Sequence, residues 1–354
     1  MTTAGSAQHN PIGRKSWLQG MTARHARRAA GGLGQTAKHD LHGYRAATGL
    51  FYNAAMYSDL NVAAIVGHCR SADAQGIVID VVDRTGSTNA DLLARIAAGA
   101  RDASAAMPGP VLLAARRQTA GRGRAGRSWQ SDAGSLTFSL AWQFARPVAG
   151  LVGLPLVAGV ALAEVLRARG IEVGLKWPND VLLGGRKLAG ILIETSSAAI
   201  GAVGAVGETA AAGGRAPGTW AVIGIGINLA VEKGGASRAR QAVGSDDESG
   251  ASAPLAIAML PATDRSRLLA EILDALAASL ASFDATGFTP WAARWNALHA
   301  YRDHEVRILD GARELHAGRA LGVDAAARLL LQTDSGDIAV MAGDVSLRLM
   351  NAAL

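Results

Sequence analysis

The chain has 354 residues, 49% of them hydrophobic and 18% charged, a length that suits two or three domains and a sizeable core. Its single cysteine, Cys69, excludes an intramolecular disulfide framework and a cysteine-based zinc site and suits a reducing, cytoplasmic setting; no apolar run is read as reaching the ~18–20 residues of a bilayer span. The formal net charge of +6 resides in residues 1–70, where eight Lys and Arg face two Asp, while the rest of the chain balances at 27 against 27, so the main body is not expected to bind nucleic acid.

Residues 1–76 hold five of the eight histidines and show little helical or strand periodicity. They are read as a basic, disordered N-terminal extension. Regular signals begin at Gly76. Ile77–Val82 reads as a strand, and Ser87 or Thr88 caps a helix over Ala90–Ala98. Val111–Arg117 and Ser135–Phe144 read as strands. Leu151–Arg169 has apolar positions at helical spacing and stops at Gly170. Three strands follow, Val173–Lys176, Val181–Leu183 and Lys187–Glu194, the last two joined by a Gly184-Gly185 hairpin turn. Trp220–Leu229 is another strand, and Asp264–Phe283 an amphipathic helix. Thr289-Pro290 reads as an N-cap followed by proline at the first helical position, opening a helix that runs through His299. Ser196–Gly218 and Glu232–Ala253 are long polar or small-residue loops. A domain boundary is placed near Tyr301. Beyond it, Glu305–Leu309, Arg313–Leu321, Arg328–Thr333 and Ile338–Met341, with turns at Asp310-Gly311 and Asp334-Ser335-Gly336, suggest a small β-barrel.

Four segments carry chemistry. Arg116–Trp129 packs five arginines into twelve residues, around Gly121, Gly123 and Gly126. These glycines fit G-x-G-x-x-G, but a strand follows instead of a helix, and no acidic residue lies between Asp132 and Glu164, so a dinucleotide fingerprint is excluded. Glycines let the backbone approach a ligand, and the guanidinium groups of Arg122, Arg124 and Arg127 match phosphate or carboxylate oxygens. A solvated basic loop and an RNA-contacting segment are the alternatives. The second segment, Lys176–Leu192, places Lys187 just past a hairpin in an apolar strand; by alternation Lys187 and Ala189 share a face and Leu188 takes the other. A snorkelling edge lysine is the plainer reading. Asp180, after Trp177-Pro178-Asn179, is a turn residue or a metal or ribose contact. The third, Gly86-Ser87-Thr88-Asn89, reads first as a helix cap. In the fourth, Gly224-Ile225-Gly226-Ile227-Asn228, strand glycines mark either close ligand approach or tight packing. No P-loop, H-E-x-x-H or G-x-S-x-G is present. A cationic site with no evident nucleophile suits phosphate-ester chemistry done by positioning and charge neutralisation.

Together these segments resemble the biotin–protein ligases over roughly Val81–Arg348. The resemblance is carried by Gly-Ser-Thr-Asn, by Gln118 with the Gly-Arg-Gly-Arg-x-Gly-Arg-x-Trp loop, and by Lys-Trp-Pro-Asn-Asp followed by Arg-Lys-x-Ala-Gly-Ile. Gly-Ile-Gly-Ile-Asn and the terminal Gly343-Asp344-Val345-Ser346-Leu347-Arg348 complete it. It implies an α/β (α+β) fold: a catalytic domain over residues 77–301 with a central mixed sheet flanked by helices, and an SH3-like barrel over 302–354. The activity implied has two halves. Biotin and ATP, with Mg2+ brought by ATP and no metal held by protein alone, give biotinyl-5′-AMP and pyrophosphate. A lysine of a biotin carboxyl carrier domain, such as that of acetyl-CoA carboxylase, then takes the biotin. Carried over by motif position, Lys187 and Arg124 are catalytic. Biotin would be bound by Ser87, Thr88, Asn89, Gln118, Arg122, Gly123, Arg124 and Lys187. ATP would be bound by Arg122, Arg124, Arg127, Trp129, Asn179, Asp180, Lys187, Asn228 and Arg348, with Trp129 also a wall for the valeryl chain. The loop Glu232–Ala253 is expected to order over the nucleotide. Some family members carry an N-terminal DNA-binding domain, for which residues 1–76 show no clear pattern. The other readings kept in view are a lipoate or octanoate adenylate transferase, a biotin-responsive DNA-binding regulator and a biotin binder without turnover; a homodimer is left open.

Overall fold

Strands that are apolar on both faces belong in the middle of a covered sheet, and β2 (Val111–Gln118), β5 (Ser135–Phe144) and β9 (Thr219–Asn228) are of that kind, buried along most of their length. The computed structural model describes residues 60–131, 134–196, 218–229, 264–343 and 345–350. In it these three strands sit together in a seven-stranded sheet of order β1-β2-β5-β9-β8-β7-β6, where β1 is Val78–Thr85, β6 Val173–Lys176, β7 Asp180–Leu183 and β8 Arg186–Ser196. β1 and β2 are parallel, joined through helix α3 (Thr88–Arg101); all other neighbours are antiparallel. A separate two-stranded ribbon, β3 (Gly121–Arg122) with β4 (Ser128–Trp129), closes the arginine loop on itself. The chain between them turns at Ala125 and Gly126, both at positive φ.

Helices cover the two faces of the sheet. On one, Leu92 and Ile96 of α3 pack with Val111, Leu113, Trp220 and Val222. On the other, α4 (Leu154–Ala168) and α5 (Arg265–Thr286) bury Leu, Val, Ile and Phe side chains in the main core. The 21-residue stretch Val148–Ala168 is long and apolar enough to cross a membrane by length and composition, which corrects the expectation that no such stretch exists. Its apolar character has a packing cause: α4 is wedged between sheet and α5, and ten of its fifteen residues are buried. Gly153 and Gly170 bracket it in left-handed backbone, the second giving the expected stop.

Regular structure starts before Gly76, contrary to expectation. Asn61 caps α1 (Val62–His68) and Ser71 caps α2 (Ala72–Gln75). Leu60 and Ile65 are fully enclosed in the main core. Asp274 of α5 accepts the backbone N–H groups of Arg70 and Ser71 at 2.8 and 3.0 Å, and Ser266 Oγ accepts that of Asn61 at 3.0 Å. Helices of seven and four residues are too short to display a period, so capping and tertiary anchoring, not pattern, define them. Residues 1–59 of the expected extension over 1–76, the loop Ser196–Gly218 apart from its two end residues, and the whole of the loop Glu232–Ala253 lie outside the described residues.

Helix α6 (Trp291–Ala297) is shorter than expected. Pro290, not Thr289, is its cap, with no side-chain cap bond. The chain leaves it to run beside β6, where the Leu175 N–H donates to Leu298 O and Ala300 N–H to Leu175 O at 2.7 and 2.8 Å. That bonding takes Leu298 and His299 out of the helix. The chain then enters a five-stranded antiparallel sheet of order β13-β12-β11-β10-β14, comprising β10 (Glu305–Asp310), β11 (Arg313–Val323), β12 (Leu329–Thr333), β13 (Gly336–Val340) and β14 (Val345–Leu349). Two bulges in β11, at Leu315 against β10 and at Leu321 against β12, bend it into the small β-domain that the turn spacing implied.

Candidate active site

One cavity of about 160 Å³ opens above the sheet, walled by the start of α3, the arginine loop, the β6–β7 turn, β8, β9 and β14. Ser87, Thr88 and Asn89 form one end of it. Ser87 Oγ accepts the Ala90 N–H at 3.4 Å, so the cap reading holds, and the same residue lines the cavity. Capping aims the next two side chains inward. The Thr88 N–H donates to Gln118 Oε1 at 2.8 Å, and Thr88 Oγ1 lies 2.6 Å from Ser139 Oγ. Ser139 Oγ donates to Asn89 Oδ1 at 2.6 Å. Thr88, Asn89 and Ser139 are all buried.

The arginine loop supplies another wall. Arg124 Nη1 donates to Asn179 Oδ1 at 3.0 Å and its Nη2 to the carbonyl of Gly343 in the C-terminal domain. Asn179 is itself fixed by donating to Ile191 O at 2.8 Å. Arg122 pairs with Glu194 at 3.0 Å, and Arg127 lines the cavity while remaining exposed.

Lys187 reaches the cavity by a route that simple alternation misses. Leu182 pairs with Lys187 while Val181 pairs with Ala189, so Leu188 is an extra, bulged residue. The bulge puts Lys187 on the face of Gly190 and Asp180, not with Ala189 as alternation suggested. Ala189 is wholly buried. The small residue beside the cation is Gly190, where a Cβ would lie 3.1–3.2 Å from Lys187 Cε and Nζ. Lys187 Nζ lies 2.5 Å from Asp180 Oδ1, and Lys176 Nζ lies 3.6 Å from Asp180 Oδ2.

The strand glycines make room for protein, not directly for a ligand. A Cβ at Gly224 would stand 2.3 Å from Asn89 Oδ1, and one at Gly226 2.3 Å from Trp129 Cε2. Trp129 thus lies flat on β9, an apolar wall between the two ends of the cavity.

The family model for the Biotin/lipoate A/B protein ligase family matches residues 82–208, and that for the Biotin protein ligase C terminal domain matches 303–348. The chain is 36% identical over 236 residues to the bifunctional ligase/repressor BirA of Salmonella typhimurium, covering 66% of this chain and 65% of that one. It is 34% identical to the biotin–[acetyl-CoA-carboxylase] ligase of Mycobacterium tuberculosis, over 75% of this chain and 88% of that one. For the ligase of that name from Paracoccus denitrificans the figures are 33%, 74% and 97%. The chain belongs to the biotin protein ligase family. A solved biotin protein ligase from Aquifex aeolicus, in complex with biotin and ATP, has the same fold, with TM-score 0.56 and 24% identity over 77% of this chain and 99% of its own.

The cavity lining holds a charge cluster of Lys176, Asp180 and Lys187. Burial acts to raise the Asp180 carboxyl, but the charges of Lys187 and Lys176 outweigh it and hold the group below the ordinary carboxylate range. Burial, more than any neighbouring charge, pushes the Lys176 ammonium down to about 8; Asp180 opposes the shift, and Arg348 and Lys187 add to it. Three donors in or beside the cavity are buried without a partner: Trp129 Nε1, Arg348 Nε and Asn228 Nδ2. Buried donors left unpaired are costly unless something accepts from them, and three donors with no acceptor favour an oxygen-rich ligand.

Of the residues singled out from the sequence, all line the cavity except Asn228, the last residue of β9, which pairs with Ser135. Sequence reasoning missed Lys176, Ser139 and Glu194. Lys176 begins the Lys-Trp-Pro-Asn-Asp segment and stands four residues before Asp180, which is the one signal that could have found it. Nothing in the sequence distinguishes Ser139 or Glu194 from other strand residues.

Proposed function

We propose that the chain activates biotin with ATP and transfers it to a lysine of a biotin carboxyl carrier domain, in the cytoplasm. The observation that carries the reading is the meeting of hydroxyl and amide groups at one end of a single cavity with Arg124, Lys187 and Arg348 at the other. The neutral ureido head of biotin needs the first set, through Ser87, Thr88, Asn89 and Gln118. Trp129 walls the apolar chain. The biotin carboxylate and the ATP phosphates need the second set, because two anions a few Å apart repel.

In the first half-reaction a carboxylate oxygen of biotin forms a bond to the α-phosphorus. The bond from that phosphorus to the bridging oxygen breaks, and pyrophosphate leaves with the electron pair. Arg124 and Lys187 hold the oxygens on which charge accumulates, an effect largest in the transition state, while Arg122, joined to Asn89 through Glu194, serves the biotin end. Arg127, Asn179, Asn228 and Arg348 bind the rest of the nucleotide. Asp180, already neutralised by two lysines, holds Lys187 in place. Magnesium would be brought by ATP, bound to its phosphates. In the second half-reaction the carrier lysine, a neutral amine once one proton has gone to solvent, forms a bond from its nitrogen to the acyl carbon and releases a second proton to solvent. The acyl–oxygen bond breaks and AMP leaves.

A separate match to a biotin protein ligase C-terminal domain favours biotin over lipoate or octanoate. The test is transfer. Purified chain, ATP, magnesium, biotin and an isolated biotin carboxyl carrier domain should give a carrier that is biotinylated at one lysine by mass spectrometry. Lipoylation in place of biotinylation, or no modification, would overturn the reading.

A further inference from the structure

Glu194 lies on β8, outside the cavity lining, and no role has been assigned to it so far. Its Oε2 accepts from Asn89 Nδ2 at 2.8 Å and from Arg122 Nη2 at 3.0 Å. We infer that Glu194 sets the hydrogen-bond polarity of the pocket that takes the ligand's polar head, making it a receptor for N–H donors. This rests on reading Thr88 and Asn89 as contacts of the biotin ureido ring.

The inference follows from counting protons. An ionised carboxylate only accepts. It therefore draws the NH2 end of the Asn89 amide toward itself and turns Oδ1 toward Ser139. Oδ1 then takes the Ser139 hydroxyl proton, at 2.6 Å. With that proton spent, Ser139 can only accept from Thr88 Oγ1, 2.6 Å away. The other acceptor within reach of Thr88 Oγ1 is Gln118 Oε1, at 3.0 Å. In either case the one proton of Thr88 is consumed by protein, and the hydroxyl faces the cavity with lone pairs alone. A ring N–H is the complementary group, as in a cyclic urea, whereas a ligand head that offers only acceptors is repelled. Arg122 balances the Glu194 charge, so the orientation is imposed without leaving a bare carboxylate beside the ligand. Glu194 is a positioning residue that confers specificity, acting through Asn89 and Ser139.

The isosteric Glu194→Gln relaxes the constraint, because a glutamine amide can donate as well as accept and leaves only the long 3.4 Å contact with Leu192 O to hold the NH2 end of Asn89. Binding of biotin, and of biotin methylated on one ureido nitrogen, is measured by calorimetry with the full chain and no ATP. The wild type should prefer biotin, and Glu194→Gln should narrow that preference about tenfold, roughly one hydrogen bond's worth of discrimination. In the Asn89→Ala background the same change should have no further effect on biotin affinity. An unchanged preference, an equal loss for both ligands, or losses that add in the double variant would overturn the inference while leaving the ligase reading intact. If Asn89→Ala alone leaves biotin affinity unchanged, the inference and the assigned role of Asn89 fall together.

Discussion

Asp180 is the residue around which the cationic end of the cavity is arranged. It sits between two ammonium groups, and removing either leaves a different deficit. Lys187→Ala takes away a cation that the proposed reaction assigns to the reacting oxygens. It should slow biotin-dependent adenylate formation by roughly 10²–10³-fold, about 2.7–4 kcal/mol of transition-state stabilisation, and near-normal turnover in a stopped adenylation assay would refute the assignment. Lys176 contributes through its titration. With its ammonium pushed down to about 8, the cavity loses a positive charge as pH rises through that value. Affinity for ATP should therefore weaken across pH 8 in the wild type, and Lys176→Met should lack that limb. The stability sign is opposite. Between about 8 and the ordinary lysine value of 10.5 the unfolded chain binds a proton that the folded chain has released, so the Lys176 contribution to stability rises with pH there. Denaturant midpoints for wild type and Lys176→Met should converge as pH approaches 10.5. Lys187 was legible in the sequence because a cation interrupts an apolar strand; Lys176 was not, because its partner is known only once the β6–β7 turn folds back on itself.

At the scale of the element, β9 shows why local pattern reads the strand but not its purpose. Ten residues with near-continuous burial identify a central strand, and both its glycines were visible. What they accommodate lies on α3 and β4, far away in sequence, so the choice between ligand approach and tight packing needed the fold. Gly226→Ala should drive Trp129 off the strand, since a Cβ there would fall within the indole ring. Biotin and ATP affinity should both fall at least tenfold while the far-ultraviolet dichroism stays native; unaltered binding would contradict the wall assigned to Trp129. The β8 bulge teaches the same lesson. Period-2 reasoning assumes an unbroken ladder, and one extra residue moved Lys187 from the side of Ala189 to that of Gly190. Elements with long burial patterns, such as β5 and α5, were placed closely, whereas α1, α2 and β14 were too short or too irregular to announce themselves.

For the whole molecule, the described chain before β1 and the C-terminal domain both bear on the catalytic unit. Ile65 of α1 is fully buried in the main core, so Ile65→Ala should cost about 2–5 kcal/mol, read as a lower denaturant midpoint at unchanged slope; a midpoint within error of wild type would show that α1 is not part of the cooperative unit. From the other end, β14 brings Arg348 to the cavity, and Gly343 accepts from Arg124. A site assembled from both domains explains why the motif segments are scattered over so much of the sequence. In the proposed reaction its fixed guanidinium and ammonium groups let two anions meet. The most direct test is exchange of labelled pyrophosphate into ATP by the purified chain with biotin, lipoate or octanoate, in wild type and Lys187→Ala. Exchange that requires biotin and is lost in the variant is the predicted result; exchange supported by lipoate alone, or biotin-dependent exchange that survives the loss of Lys187, would contradict it.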